Sequence, residues 1–343
     1  MKAVLLDRPG QLLVVDQPEP TAPGPTDALV ATRRVGLCGT DYHAFIGDQN
    51  FFTYPRVLGH ELAVEVLEIG EEVRNVRVGD SCAVLPYLSC GACVSCRGGR
   101  TNCCERLEVL GVTIDGGMRE RFVVPASALF GRAGLDLDAL ALVETLGIGY
   151  HAVDRARVSP GQFALVVGAG PIGLAVAQSL LAVGARVAVA DTSEVRVSLA
   201  AAMLPIEPLV SDTMLGERLR ALDDGHLPTV VFDATGRRES MEQSLAFVEF
   251  SGSLVLVGHT TAGLTFDNPT LHRREISVLA SRNARGVEWL PLLDLIESGV
   301  IGATSWIGGR SSLDQVPIDL PRWSGSGGAM LKGIVDVADG IAR

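Results

Sequence analysis

Phe163-Ala164-Leu165-Val166-Val167, followed directly by Gly168-Ala169-Gly170-Pro171-Ile172-Gly173, is the stretch that decides the fold. The apolar run reads as a buried strand, and Ile172–Val183 behind it reads as a helix. A G-x-G-x-x-G sequence set between strand and helix has the context of a dinucleotide fingerprint. Its glycines permit a tight turn and close backbone approach, and the helix N-terminus receives the pyrophosphate. Asp191 closes the next strand, where a carboxylate accepts hydrogen bonds from ribose hydroxyls and repels a 2′-phosphate. This favours NAD over NADP. Arg196 lies one helical turn beyond, where it can accommodate that phosphate, stack on adenine or stay solvated. Val257, Gly258 and Ser281 complete the expected cofactor-binding set.

Working outward, Arg186–Ala190, Val230–Asp233 and Ser253–Val257 read as further buried strands, alternating with helices such as Glu194–Met203. Such alternation implies an α/β fold with a doubly wound parallel sheet. Upstream of Glu144 the texture is β-rich, with Ala28–Arg33 and Leu62–Ile69 separated by Gly, Pro and Asp turns. Past about residue 278 the alternation breaks. A helix over Val287–Ser298, with Trp289, Leu292, Leu293 and Ile296 at helical spacing, leads to a Gly/Ser stretch at Ser324–Gly328 and a last strand near Lys332–Val335. The expected plan is a dinucleotide-binding domain, 144–278, inserted between the two pieces, 1–143 and 279–343, of a second domain.

Composition narrows the function classes. A length of 343 residues with 47% hydrophobic and 20% charged residues suits two globular domains, each with its own core. No run approaches the length of a membrane span. The net charge of −11, without a basic stripe, argues against a nucleic-acid partner. The N-terminal MKAVLLDRPG lacks an apolar signal core and reads as a strand entering a turn, so a cytoplasmic location is expected.

Cys90, Cys93 and Cys96, followed by Cys103 and Cys104, form a cluster whose spacing can converge on one tetrahedral cation, with zinc the favoured occupant. A closed four-sulfur site leaves no open position and reads as a structural staple. Seven cysteines, six of them between residues 82 and 104, fit metal-bound thiols in a reducing compartment better than a disulfide framework. The spacing leaves either Cys103 or Cys104 as the fourth ligand; Cys82 reads as a small core residue. Upstream, Cys38-Gly39-Thr40-Asp41-Tyr42-His43 and Gly59-His60-Glu61 supply thiolate, imidazole and carboxylate, the donor types of a catalytic zinc with one open position. Glu144 is a further candidate oxygen ligand.

These motifs, taken together, resemble the zinc-dependent medium-chain dehydrogenases of the polyol and threonine dehydrogenase type. The matches are CGTDYH at 38–43, GHE at 59–61, VGD at 78–80, the cysteine lobe at 90–104 and GAGPIG at 168–173. The resemblance implies a GroES-like β-rich catalytic domain carrying two zincs, with the structural lobe at about 86–108, plus a Rossmann domain and an active site in the cleft between them. It implies Cys38, His60, Glu61 and Glu144 around the catalytic zinc, and a proton relay of Thr40 and His43. It also selects Cys104 over Cys103. Two positions depart from the family pattern: Val64 replaces a usual glycine behind the GHE loop, and Arg119 stands where many relatives carry a small residue.

The implied reaction is reversible, NAD-dependent oxidation of a secondary alcohol in a polyol, sugar or sugar acid. An L-threonine-like amino alcohol is the second substrate class, and a non-catalytic NAD-binding protein derived from the family is the reading of another kind. Arg119, Arg282 and Asn283 are candidate substrate contacts, the arginines as bidentate carboxylate binders. The resemblance further implies a homodimer or homotetramer.

Overall fold

The computed structural model describes residues 1–49, 52–324 and 330–337, so the expected Gly/Ser stretch lies, past Ser324, outside the described residues. The chain forms two compact units, Met1–Glu144 with Arg285–Arg343, and Thr145–Ala284.

Unit Thr145–Ala284 is built on a six-stranded parallel sheet. Its strand order is Glu207–Val210, Arg186–Asp191, Phe163–Val167, Val230–Asp233, Ser253–Leu256, Ser277–Ala280. Phe163–Val167 is buried at every position, as its unbroken apolar run requires of a strand covered on both faces. Connections leave this strand in opposite directions, so its C-terminal end is the topological switch point where open α/β sheets take their ligand. The two outer strands, which the sequence reading did not mark, are four-residue edges: Glu207–Val210 and Ser277–Ala280 are exposed or half-buried throughout, the latter despite its apolar Val278-Leu279-Ala280. Helix Pro171–Ala182 buries Gly173 through Leu180. Gly149 lets the helix Val143–Ala156 approach it, because a Cβ there would overlap the Ala175–Val176 backbone.

The other unit is organised by Asp27–Leu37, which pairs with Glu61–Ile69, Arg121–Pro125 and Lys332–Asp336. These belong to a seven-stranded sheet completed by Ser81–Val84, Leu129–Gly131 and Ile307–Ser312. Its core includes Val30, Val35, Leu58, Leu62, Met118 and Phe122. Val64 is fully buried, with Thr32 and Cys82 as register partners, and a β-bulge follows at Arg33 on the facing strand. Trp289, Leu292, Leu293 and Ile296 bury one face of helix Gly286–Glu297, as their spacing implies. Among the described residues no helix is long and apolar enough to cross a membrane.

Candidate active site

Sheet register assembles the first cluster. Gly36 pairs with Glu61 and Leu37 with Gly333, so the end of one strand, the start of the second and the start of the third meet at one edge. Cys38 leaves the first strand, His60 and Glu61 open the second, and Lys332 opens the third. Gly36 is required here because a Cβ would overlap the Glu61 carboxylate. Cys38 caps helix Gly39–Ile46, and its N–H donates to Asp41 Oδ2 at 2.9 Å.

The ligand atoms of Cys38, His60 and Glu61 all lie within 4.8 Å of one another. His60 Nδ1 and Asp41 Oδ1 are buried without a hydrogen-bond partner and stand 3.8 Å apart. Burial alone would lower the His60 pKa, but Asp41 and Cys38 together lift it well above the ordinary range. Asp41 is raised by its own burial, partly offset by His60. Soft sulfur, imidazole and carboxylate converging in a buried, electron-rich niche fit a zinc ion. Thr40 Oγ1 lies 3.8 Å from Cys38 Sγ, and His43 sits one turn along the same helix, exposed, with Nδ1 3.9 Å from Asp48.

Glu144 is buried but stands outside that three-donor group; its carboxylate accepts a hydrogen bond from the Tyr87 hydroxyl. Burial raises its pKa, His60 pulls it down and Glu61 pushes it up, so it shares the field of the cluster. Lys332 is buried and pairs with Glu61, with Nζ also 3.3 Å from the Leu37 carbonyl. Neither Tyr87 nor Lys332 was singled out from sequence. The signal for Lys332 was there: a lone cation inside an apolar terminal strand. Tyr87 offered none beyond lying just ahead of the first lobe cysteine.

The four-cysteine lobe is the loop of a hairpin formed by Tyr87–Leu88 and Glu108–Val109. Cys90, Cys93, Cys96 and Cys104 bring their sulfurs within 4.8 Å of one another, while Cys103 is exposed and outside the group. Backbone N–H groups of Ala92 and Cys93 pull the Cys90 thiol down to about 6, whereas desolvation and the neighbouring thiols push Cys96 up to about 11. Four sulfurs at this separation fit a closed thiolate site for zinc.

In the parallel-sheet unit, Gly168 adopts φ +103°, and a Cβ on Gly173 would overlap its carbonyl oxygen. Gly170 precedes Pro171 without a side-chain cap, leaving first-turn amides for an anion. Ile172 follows Pro171 in that turn. Asp191 accepts from Ala169 N–H at 2.8 Å and Ser193 N–H at 2.9 Å, and Arg196 Nη1 stands 3.9 Å from its Oδ2. Val257 and Gly258 both donate to the Asp233 carbonyl, and Ser281 N–H donates to Leu256. The Ser281 hydroxyl is buried without a partner, one more polar group consistent with a ligand at this sheet end. Asp233 was not anticipated: its buried carboxylate accepts from Thr235, Ser240 and Ser244 and fixes the turn that faces Gly168.

The candidate substrate residues are placed in different units. Arg119 is largely buried, its guanidinium 5.2 Å from the Phe122 ring centre, in the unit that holds the Cys38 cluster. Arg282 is exposed, and Asn283 has a left-handed φ of +53°, both in the parallel-sheet unit.

Comparison with known proteins matches residues 24–132 to the alcohol dehydrogenase GroES-like domain and residues 171–298 to the zinc-binding dehydrogenase family. The chain is 40% identical over 306 residues to the L-galactonate-5-dehydrogenase of Escherichia coli K12, covering 88% of this chain and 89% of that protein. It is 33% identical to an L-threonine 3-dehydrogenase of Streptomyces avermitilis, over 88% of this chain and 90% of that one. Among solved structures, an alcohol dehydrogenase from Escherichia coli CFT073, complexed with NADH, superposes with a TM-score of 0.90 at 28% identity, covering 98% of this chain and 99% of that one. Matches to both domain families and similarity along nearly the whole length leave one conclusion: the chain belongs to the zinc-binding medium-chain alcohol dehydrogenases.

Proposed function

We propose that this enzyme, an NAD-dependent zinc alcohol dehydrogenase, oxidises a secondary alcohol of a sugar acid or polyol to the ketone. The observation that carries the reading is the convergence of Cys38, His60 and Glu61 beside the Thr40 hydroxyl. Bound zinc supplies a Lewis acid and bound NAD supplies the hydride acceptor. The chain's own residues do the rest. Cys38, His60 and Glu61, with Glu144 close by, hold the cation; Lys332 balances the Glu61 charge. Thr40 accepts the substrate proton at Oγ1 as its own hydroxyl proton passes on toward His43, which, exposed on the same helix, releases a proton to solvent. Asp41 faces His60 Nδ1 at 3.8 Å and acts on it through charge. Gly168, Gly170, Pro171, Ile172 and Gly173 cradle the pyrophosphate, Asp191 and Arg196 meet the adenosine ribose, and Val257, Gly258 and Ser281 line the remaining cofactor surface.

The similarity to an L-galactonate dehydrogenase supports a sugar acid, with Arg119 or Arg282, and Asn283, reading its polar groups. The threonine-type substrate has the weaker support, at lower identity. Cys90, Cys93, Cys96 and Cys104 hold the structural zinc, and seven unbridged cysteines support a cytoplasmic setting. The outer strand Ser277–Ala280, with Val278 exposed, supports a homo-oligomer through strand pairing, which sedimentation analysis would test. For the reaction, NADH formation is followed across sugar acids, their neutral polyols and L-threonine. Full turnover by Cys38→Ser, after loss of one zinc per chain, would end the proposal.

A further inference from the structure

Tyr87 occupies the base of the hairpin that encloses the cysteine lobe, paired with Val109 across the strands. Cys90 and Cys104 stand just inside the two ends of that hairpin, joined by the Cys90 N–H to Cys104 Sγ contact at 3.3 Å. The Leu110 N–H bonds Pro86 O at 3.1 Å on the other side of the base. The four thiols thus lie in the loop of the hairpin whose base carries Tyr87, and a cation held by them would clamp that loop. The Tyr87 ring is buried, and its hydroxyl donates to Glu144 Oε1, also buried, at the first turn of helix Val143–Ala156. Both side chains feel the Cys38 cluster: Tyr87 the charges of Cys38 and Glu61, Glu144 those of His60 and Glu61. A buried carboxylate deprived of its donor must find another partner, and a cation held by that cluster would offer one.

We propose that Tyr87 is a positioning residue that holds Glu144 at a set place beside the Cys38–His60–Glu61 centre, so that the state of the cysteine lobe governs the catalytic centre through one phenol–carboxylate hydrogen bond. This rests on the reading of Cys38, His60 and Glu61 as that centre. The lobe is then more than a staple: loss of its metal would loosen Tyr87 and release Glu144 from its set place beside the catalytic centre.

The test uses the full-length holoenzyme. Tyr87→Phe keeps the ring, and it should retain two metals per chain and the wild-type KM for NAD. Its kcat should fall about 10- to 100-fold, the effect of losing an outer partner of a metal site. With Co(II) exchanged into the catalytic centre, its visible absorption bands should shift. Cys93→Ser, which opens the lobe, should lower kcat in the wild-type background and have little further effect in Tyr87→Phe, because both act through Glu144. An unshifted cobalt spectrum with unchanged kcat in Tyr87→Phe overturns the proposal, as does an equal kcat loss from Cys93→Ser in both backgrounds. If Cys93→Ser does not fold, the Tyr87→Phe spectrum alone decides. The underlying reading fails separately, when Cys38→Ser still binds two metals per chain.

Discussion

Lys332→Met removes one charge from a pair with side chains only 2% and 1% exposed, while nearly preserving volume. The Glu61 carboxylate then loses its cation, and the Leu37 carbonyl loses its 3.3 Å donor. Breaking one side of a buried pair costs about 3–5 kcal/mol. An independent bound comes from letting the Glu61 carboxylate take a proton: at pH 7, neutralising an acid of ordinary Glu pKa costs about 3.7 kcal/mol. The two agree, so metal-free Lys332→Met should melt roughly 10 °C below the metal-free wild type. Zinc changes the sum, since a bound cation replaces the lost ammonium as partner for Glu61. The deficit should therefore shrink in zinc-replete protein, and the variant should hold zinc at least as tightly as the wild type against a chromogenic chelator. Thermal melts with and without zinc supply the measurement. Lys2→Met serves as control, because its pair with Asp314 is about half exposed and screened by solvent. A metal-free Lys332→Met that melts with the control would refute the electrostatic argument, and a deficit untouched by zinc would refute the placement of Glu61 at the metal.

The remaining predictions use separate assays. Gly173→Ala should weaken NAD binding more than tenfold in fluorescence titration, since its Cβ overlaps the Gly168 carbonyl that shapes the phosphate turn; unchanged affinity would exclude that turn as the site. His43→Ala should lower turnover by about 10²-fold or less, with zinc content intact, as expected for loss of a proton-transfer group; loss of metal instead would make His43 structural. In zinc-stripped protein, alkylation of Cys90 should show a midpoint near pH 6, rapid above it as thiolate and slow below it as thiol, while Cys96 should stay unreactive until about pH 11. Mass spectrometry of the labelled peptides reads both. The raised pKa of His60 implies that protons compete with the catalytic metal on acidification, so zinc should leave as pH falls and return as it rises; pH-independent retention would contradict this.

The chain's local patterns were enough to announce both halves of the fold. A buried strand running into Gly168–Gly173, with an acid closing the next strand, carries its meaning within one strand–turn–helix unit, and the thiol spacing of 90–104 carries its own within one hairpin loop. Both are local because backbone conformation and short loop closure are local. The sheet edges Glu207–Val210 and Ser277–Ala280 were missed for the opposite reason: each is only four residues long and half-solvated, and so short a segment, even one holding Val278-Leu279-Ala280, has no pattern that separates a strand from a loop. What only tertiary structure decided is how distant charges balance. Glu61 and Lys332 lie far apart in sequence, and so do Tyr87 and Glu144, yet each pair shares one buried bond. Sheet register and hairpin placement, set by the packing of the whole core, bring these partners together, and no spacing along the chain encodes that. The cysteine lobe shows the division clearly: spacing marked its thiols and left Cys103 or Cys104 open, and only the fold brought Cys104 into the group and showed that its base reaches Glu144.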